Sequence, residues 1–170
     1  MNHVAAKGLI RPDSRAAFLS NRIVLIAPAE SNVRLAIARH FPLARALGSG
    51  RLAMADPDSV PAGTYGKAAL ASLGVWPAVA GKVARAENVR AALALVERGA
   101  APFGIVYATD ARASSKVRVV GMFPAKSHPV ITYPIAALRR STNPEAEAFR
   151  RFLMSRAGKA IFARHGFVTR

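Results

Sequence analysis

The chain has 170 residues, 52% of them apolar and 20% charged, which describes a folded globular protein long enough for one ordinary domain with a real core. It contains no cysteine, which excludes a disulfide framework, a thiolate zinc site and a cysteine nucleophile. Its 25 basic and 9 acidic residues give a formal net charge of +16, pointing to a partner of opposite sign, whether nucleic acid, an anionic surface or an anionic solute.

In chain order, Met1–Gly8 reads as the end of a helix with Gly8 as its stop, and Pro12-Asp13-Ser14 as a turn or short helical piece. Ile23–Ala27 is a continuous apolar run closed by Pro28, the pattern of a strand buried on both faces in a largely parallel sheet. Ala29–Arg39 has no clean punctuation. Pro42–Leu47 predicts a short helix, closed by Gly48-Ser49-Gly50. Leu52–Ala55 predicts a strand, and Thr64–Leu73 a helix ended by Gly74, with a second short helix from Trp76-Pro77. Glu87–Arg98 predicts a helix, because Val89, Leu93 and Val96 keep helical spacing and Gly99 supplies a cap. Phe103–Tyr107 is another buried strand, and Thr109-Asp110 can cap a short helix after it. Val117–Met122 and Thr132–Leu138 are two more strands; Pro144–Met154 and Arg156–His165 are helices. This alternation argues for an α/β sandwich with helices on both faces. Ligands in such folds bind at the carboxyl ends of strands, beside helix N-termini; Ala62 and Tyr107 both fit that rule.

The segment Asp56–Lys67 carries the strongest site signal. A strand runs into it and a helix runs out. Ala62 and Gly63 sit where first-turn N–H groups are free, with Pro61 just ahead, and such a terminus suits an anion. The same glycine and proline also serve steric needs in strand-to-helix turns that bind nothing. Catalysis has little support. His3, His40, His128 and His165 lie in unrelated contexts, and no G-x-S-x-G elbow, H-E-x-x-H pair or complete P-loop occurs. Asp56 and Asp58 read as turn chemistry rather than a metal pair. The basic residues are spread along the chain without the single-face footprint that nucleic-acid binding needs. No apolar run approaches the ~20 residues that span a bilayer. Lys7, Arg11, Asp13 and Arg15 interrupt any signal-peptide core in residues 1–20.

Four stretches, 51–67 (RLAMADPDSVPAGTYGK), 86–98 (AENVRAALALVER), 102–111 (PFGIVYATDA) and 160–167 (AIFARHGF), resemble the periplasmic molybdate-binding proteins of ABC transporters. The resemblance spans essentially the whole chain. It implies a type II periplasmic-binding-protein-like fold, an α/β three-layer sandwich, and capture of molybdate or tungstate for delivery to an ABC permease in the membrane. It implies no enzymatic chemistry, no cofactor, a monomer, and a periplasmic location. In that family the dianion is held by neutral donors, so the metal enters only as the metalate. Carried over by motif, the ligands are the backbone N–H groups of Ala62 and Val89 and the hydroxyl of Tyr107. The region that carries two serine ligands in the family has no counterpart in the chain, and Ser14, Ser20 and Ser31 do not match it. The expected organisation is therefore a remnant of the first lobe over residues 1–20, a complete second lobe with a mixed sheet over 21–138, and helices over 139–170 that belong with the first lobe. Crossings between lobes are expected near Ser20–Arg22 and Tyr133–Ile135. Binding is expected to be impaired, and Phe149, Phe152, Leu153, Ile161 and Phe162 to form an exposed patch. Two other readings remain open: a binding protein for another oxyanion such as sulfate or phosphate, and the effector-sensing domain of a transcription regulator.

Overall fold

Apolar runs and helix stops convert into a regular series of elements, and the computed structural model describes them over residues 1–169. They are α1 (Asn2–Ala6), a 3-10 turn at Pro12–Ser14, β1 (Ala16–Ser20), β2 (Ile23–Pro28), α2 (Leu43–Leu47), β3 (Leu52–Ala55), α3 (Pro61–Ser72) and α4 (Trp76–Val79). β4 (Val83–Ala86), α5 (Val89–Glu97), β5 (Phe103–Tyr107), α6 (Ala108–Arg112), β6 (Val117–Met122), β7 (Thr132–Ile135), α7 (Ala146–Met154), α8 (Arg156–Arg164) and β8 (Val168–Thr169) follow. Gly74 and Gly99, at φ of 71° and 69°, stop the chain behind α3 and α5 in the left-handed conformation that glycine adopts without cost. Three strands were not legible in the sequence. β1 and β4 are short and rich in alanine, and β8 has two residues.

The chain divides into two compact units. One comprises Arg22–Val130, the other Met1–Asn21 together with Ile131 and the residues after it. The larger unit holds a five-stranded sheet in the order β4-β3-β5-β2-β6. β3 runs parallel to β4 and β5, whereas β2 is antiparallel to both β5 and β6. The sheet is therefore mixed, and the parallel pairing suggested by the β2 run alone does not apply to β2 itself. An apolar run reports coverage of both faces, and it carries no information on strand direction.

Alternation along the strands sorts side chains to the two faces. Val24, Ile26, Ala53 and Val106 pack with Ala92 and Val96 of α5 and Ala111 of α6. On the opposite face α3 comes close: a Cβ at Gly66 would lie 2.9 Å from Met54 Cε and 3.1 Å from Ile105 Cγ2. Helices thus cover both faces, and the middle of the sheet is buried, with Ile23, Leu25, Met54 and Ile105 all at 0% exposure.

The smaller unit contains the three-stranded sheet β7-β1-β8, with β1 antiparallel to both neighbours. Residues 131–138, expected with the larger lobe, fall here instead. The cause is local pairing. Ser20 Oγ donates to the Ile131 carbonyl at 2.6 Å, β7 pairs along β1, and Ala137 N donates to Ser14 Oγ at 2.8 Å. β7 also ends at Ile135, short of Leu138, and α7 begins at Ala146 rather than Pro144. Phe149, Phe152 and Ile161 are exposed. Leu153 and Phe162, expected beside them, are partly covered; the Phe162 ring meets Phe18 edge-on at 5.5 Å and Phe167 at 5.9 Å.

Replacing a core side chain in the larger unit leaves a cavity between sheet and helices. Leu25→Ala is expected to lower the unfolding free energy by about 2–5 kcal/mol, measured by urea unfolding followed by far-UV circular dichroism; a loss under half a kcal/mol would contradict the two-sided packing.

Candidate functional site

Because β4, β3 and β5 are parallel neighbours, their carboxyl ends lie side by side. Ala55 is level with Ala86, and Met54 with Ile105. Each strand then leads into a helix: β3 into α3, β4 into α5, β5 directly into α6. Ala62 is the second residue of α3, Val89 the first of α5, and Tyr107 is both the last residue of β5 and the N-cap of α6. The fold therefore brings the three positions singled out in the sequence to one edge of one sheet.

α3 starts at Pro61, three residues before the expected Thr64. Pro suits the first helical position because it has no N–H to leave unpaired. The earliest helical hydrogen bond runs from Thr64 N to the Val60 carbonyl at 2.9 Å, so the N–H groups of Ala62 and Gly63 precede it. Gly63 packs directly on the end of β3. A Cβ there would lie 2.1 Å from the Ala55 carbonyl oxygen and 2.3 Å from that of Asp56. Only glycine permits this approach, which holds the helix start against the strand end. In α5, Asn88 caps the terminus, its side chain accepting from Ala91 N at 2.9 Å, and the N–H of Val89 lies outside the helical ladder. α6 is capped differently from expectation: Tyr107, rather than Thr109 or Asp110, is the N-cap. Asp110, at the third helical position, accepts a hydrogen bond from the Tyr107 backbone N–H, the reach-back half of a capping box. Burial pushes the Asp110 carboxyl above its usual range, opposed by that hydrogen bond and by the charge of Arg90.

Two cations near the end of β3 and on β4 are already engaged. Asp58 holds Lys67 at 2.7 Å and Arg85 at 2.7 Å, and Asp56 stands 3.5 Å from Arg85. The Lys67 ammonium also lies 5.5 Å from the centre of the Trp76 ring. Asp56 Oδ1 accepts from Asp58 N at 2.8 Å, an Asx turn, which agrees with reading this pair as turn chemistry. What the candidate positions at the three strand ends offer an incoming group is thus backbone N–H and hydroxyl, while Lys67 and Arg85 are tied to Asp58.

The family model for bacterial extracellular solute-binding proteins matches residues 1–168. The chain belongs to that family. Molybdate-binding protein ModA of Haemophilus influenzae is 39% identical over 167 residues, covering 98% of this chain and 66% of that protein. ModA of Escherichia coli is 42% identical over 168 residues, covering 98% of this chain and 65% of that protein. The chain thus spans just under two thirds of the length of these relatives. A substrate-binding domain from Clostridium difficile superposes with a TM-score of 0.81 at 30% identity, over 98% of this chain and 71% of that one. The Azotobacter vinelandii periplasmic molybdate-binding protein superposes with a TM-score of 0.75 at 22% identity, over 98% of this chain and 73% of that one, which establishes the shared fold. The α/β architecture is that of periplasmic binding proteins.

Three features of the chain escaped the sequence reading. Asn88 directly before an apolar-periodic helix is a standard cap signal and was findable. The reach-back of Asp110 required knowing that α6 begins at Ala108. The Asp58–Lys67–Arg85 cluster joins residues 27 positions apart, and only the parallel pairing of β3 with β4 unites them.

Two outcomes test this geometry. Gly63→Ala is expected to cost about 1–3 kcal/mol or more, because the obstructing atoms are backbone; an unchanged urea midpoint would show that α3 can shift freely. Asp58 bears on acid stability. Hydrogen bonds from Lys67 and then Arg85 hold its carboxyl below the ordinary 3.8, so its contribution is full above that value and fades as pH falls through the lowered one. For these exposed groups the effect is small. The stability difference between parent and Asp58→Asn should close as a urea series moves from neutral pH into acid; a constant difference would detach the cluster from stability.

Proposed function

We propose that this chain captures a fully deprotonated tetrahedral oxyanion, molybdate first and tungstate beside it, in the periplasm, and hands it to an ABC-type permease without altering it chemically. The observation that supports this reading is that Tyr107 ends β5 and that Ala62 and Val89 begin the helices after β3 and β4, all on the carboxyl side of three parallel strands. The names of the relatives support molybdate as the ligand.

The ligands are the N–H of Ala62, the N–H of Val89 and the hydroxyl of Tyr107. Helix N-termini place partial positive charge toward the anion, and the phenol donates a hydrogen bond in the same direction. Donors without acceptors discriminate by protonation state. A dianion with no remaining proton satisfies every donor, whereas inorganic phosphate, partly protonated at neutral pH, presents a hydrogen that finds no acceptor and leaves it unpaired. Because Lys67 and Arg85 are held by Asp58, the site recognises geometry and hydrogen bonding more than net charge. Molybdate and tungstate, nearly equal in size and shape, are expected to compete.

Calorimetric titration of the folded chain tests this. Saturable heat with molybdate and tungstate, and little with phosphate, is expected; heat with none of these anions overturns the reading. Tyr107→Phe should weaken binding by about tenfold to a hundredfold, the worth of one hydrogen bond to a charged acceptor, with unchanged thermal unfolding. Equal affinity in the variant removes Tyr107 from the site.

A further inference from the structure

The last residue of β5, Tyr107, is tied to a carboxylate on the helix that follows it. Toward β2, Tyr107 stands opposite Ile23, and the donor on that side is Ala108, whose N–H reaches the Arg22 carbonyl at 2.8 Å. Donors alternate sides along an antiparallel strand, so the N–H of Tyr107 points the other way, toward β3. The β3–β5 register, however, runs only from Leu52↔Phe103 to Met54↔Ile105. Tyr107 lies past it, and its N–H is met by the carboxylate of Asp110. The second oxygen of that carboxylate, Oδ2, is buried with no hydrogen-bond partner, so the group is held at that place at the expense of its own solvation. Asp110 also senses the charge of Arg90, the residue after Val89 at the start of α5. Its neighbours Ala108 and Ala111 share one apolar cluster with Val89.

We propose that Asp110 is a positioning residue for the oxyanion site: by taking the Tyr107 backbone N–H it fixes the end of β5, and with it the phenol, against the start of α5. The inference rests on the oxyanion reading for its functional meaning, but the positioning itself is independent of any ligand. The negative charge is secondary; the acceptor is what matters. Asparagine at this position keeps an acceptor oxygen and alanine does not.

The test uses the chain labelled with 3-fluorotyrosine. Its three tyrosines give fluorine resonances assigned through Tyr107→Phe. In Asp110→Ala the Tyr107 resonance is expected to shift or broaden while those of Tyr65 and Tyr133 hold, reporting an intact fold, and molybdate binding should weaken by about tenfold or more. Asp110→Asn should restore both. An unmoved Tyr107 resonance in Asp110→Ala, or equal perturbation in both variants, overturns the proposal. A parent whose Tyr107 resonance ignores added molybdate sinks the oxyanion reading instead, while the ligand-free comparison still decides the role of Asp110. Should Asp110→Ala fail to fold, amide hydrogen exchange decides: a Tyr107 N–H protected in the parent and in Asp110→Asn is expected, and one exchanging at loop rates in the parent overturns the assignment.

Discussion

The hydrogen-bonded ladder that holds β3 between β4 and β5 carries all three strands in one direction, and that constraint decides where free backbone donors collect. Parallel neighbours need crossover connections, and here those crossovers are helices. Each helix must therefore begin on the same side of the sheet, and each beginning exposes N–H groups without helical partners. α3 and α5 start at level strand ends for this reason and need no motif of their own to do so. The local devices then refine the arrangement. Gly63 lets α3 sit directly on the end of β3, Asn88 satisfies one donor of α5 while leaving that of Val89, and Asp110 secures the last residue of β5.

The charge of the chain and the neutrality of these strand ends belong to different distances. A net charge of +16 acts through a long-range potential that draws anions toward the surface and weakens as salt screens it beyond roughly 10 Å. Contact recognition is a matter of a few ångströms. There Lys67 and Arg85 are held by Asp58, with Asp56 close to Arg85, and the backbone donors at the helix starts are dipoles of fixed direction. A cation on a flexible stem accepts any anion that approaches it, whereas fixed N–H groups reward only an acceptor of matching shape. A basic protein whose contact donors are fixed backbone dipoles can thus concentrate anions without losing discrimination among them.

What the sequence disclosed follows from how local each signal is. β2 and β5 announced themselves as uninterrupted apolar runs, and α5 by its spacing and by the glycine behind it, because those signals are contained within each segment. Ala62, Val89 and Tyr107 were named from motifs, and their shared position at one sheet edge emerged only with the strand order. Strand direction is a property of pairs, so β2 read as one of a parallel set although both its partners run against it. β4, with the sequence Val-Ala-Arg-Ala, carries no pattern by itself and exists because β3 offers it an edge. The placement of residues 131–138 was likewise decided by a distant partner, β1, through Ser20 and Ser14. The expected start of α3 falls late because Pro61 reads as the entry to the helix, whereas proline at the first helical position is part of it.

The three donor positions all lie between Arg22 and Val130, on a unit whose sheet is covered on both faces by its own helices. Under the oxyanion reading this has a physical consequence. A tetrahedral dianion has four oxygens, each able to accept more than one hydrogen bond, and donors from one sheet edge address only one side of it. The oxygens turned away remain hydrated, so the strong electrostatics of a water-excluded site are not reached. The larger unit therefore supplies the selective part of recognition, the fit to shape and protonation state.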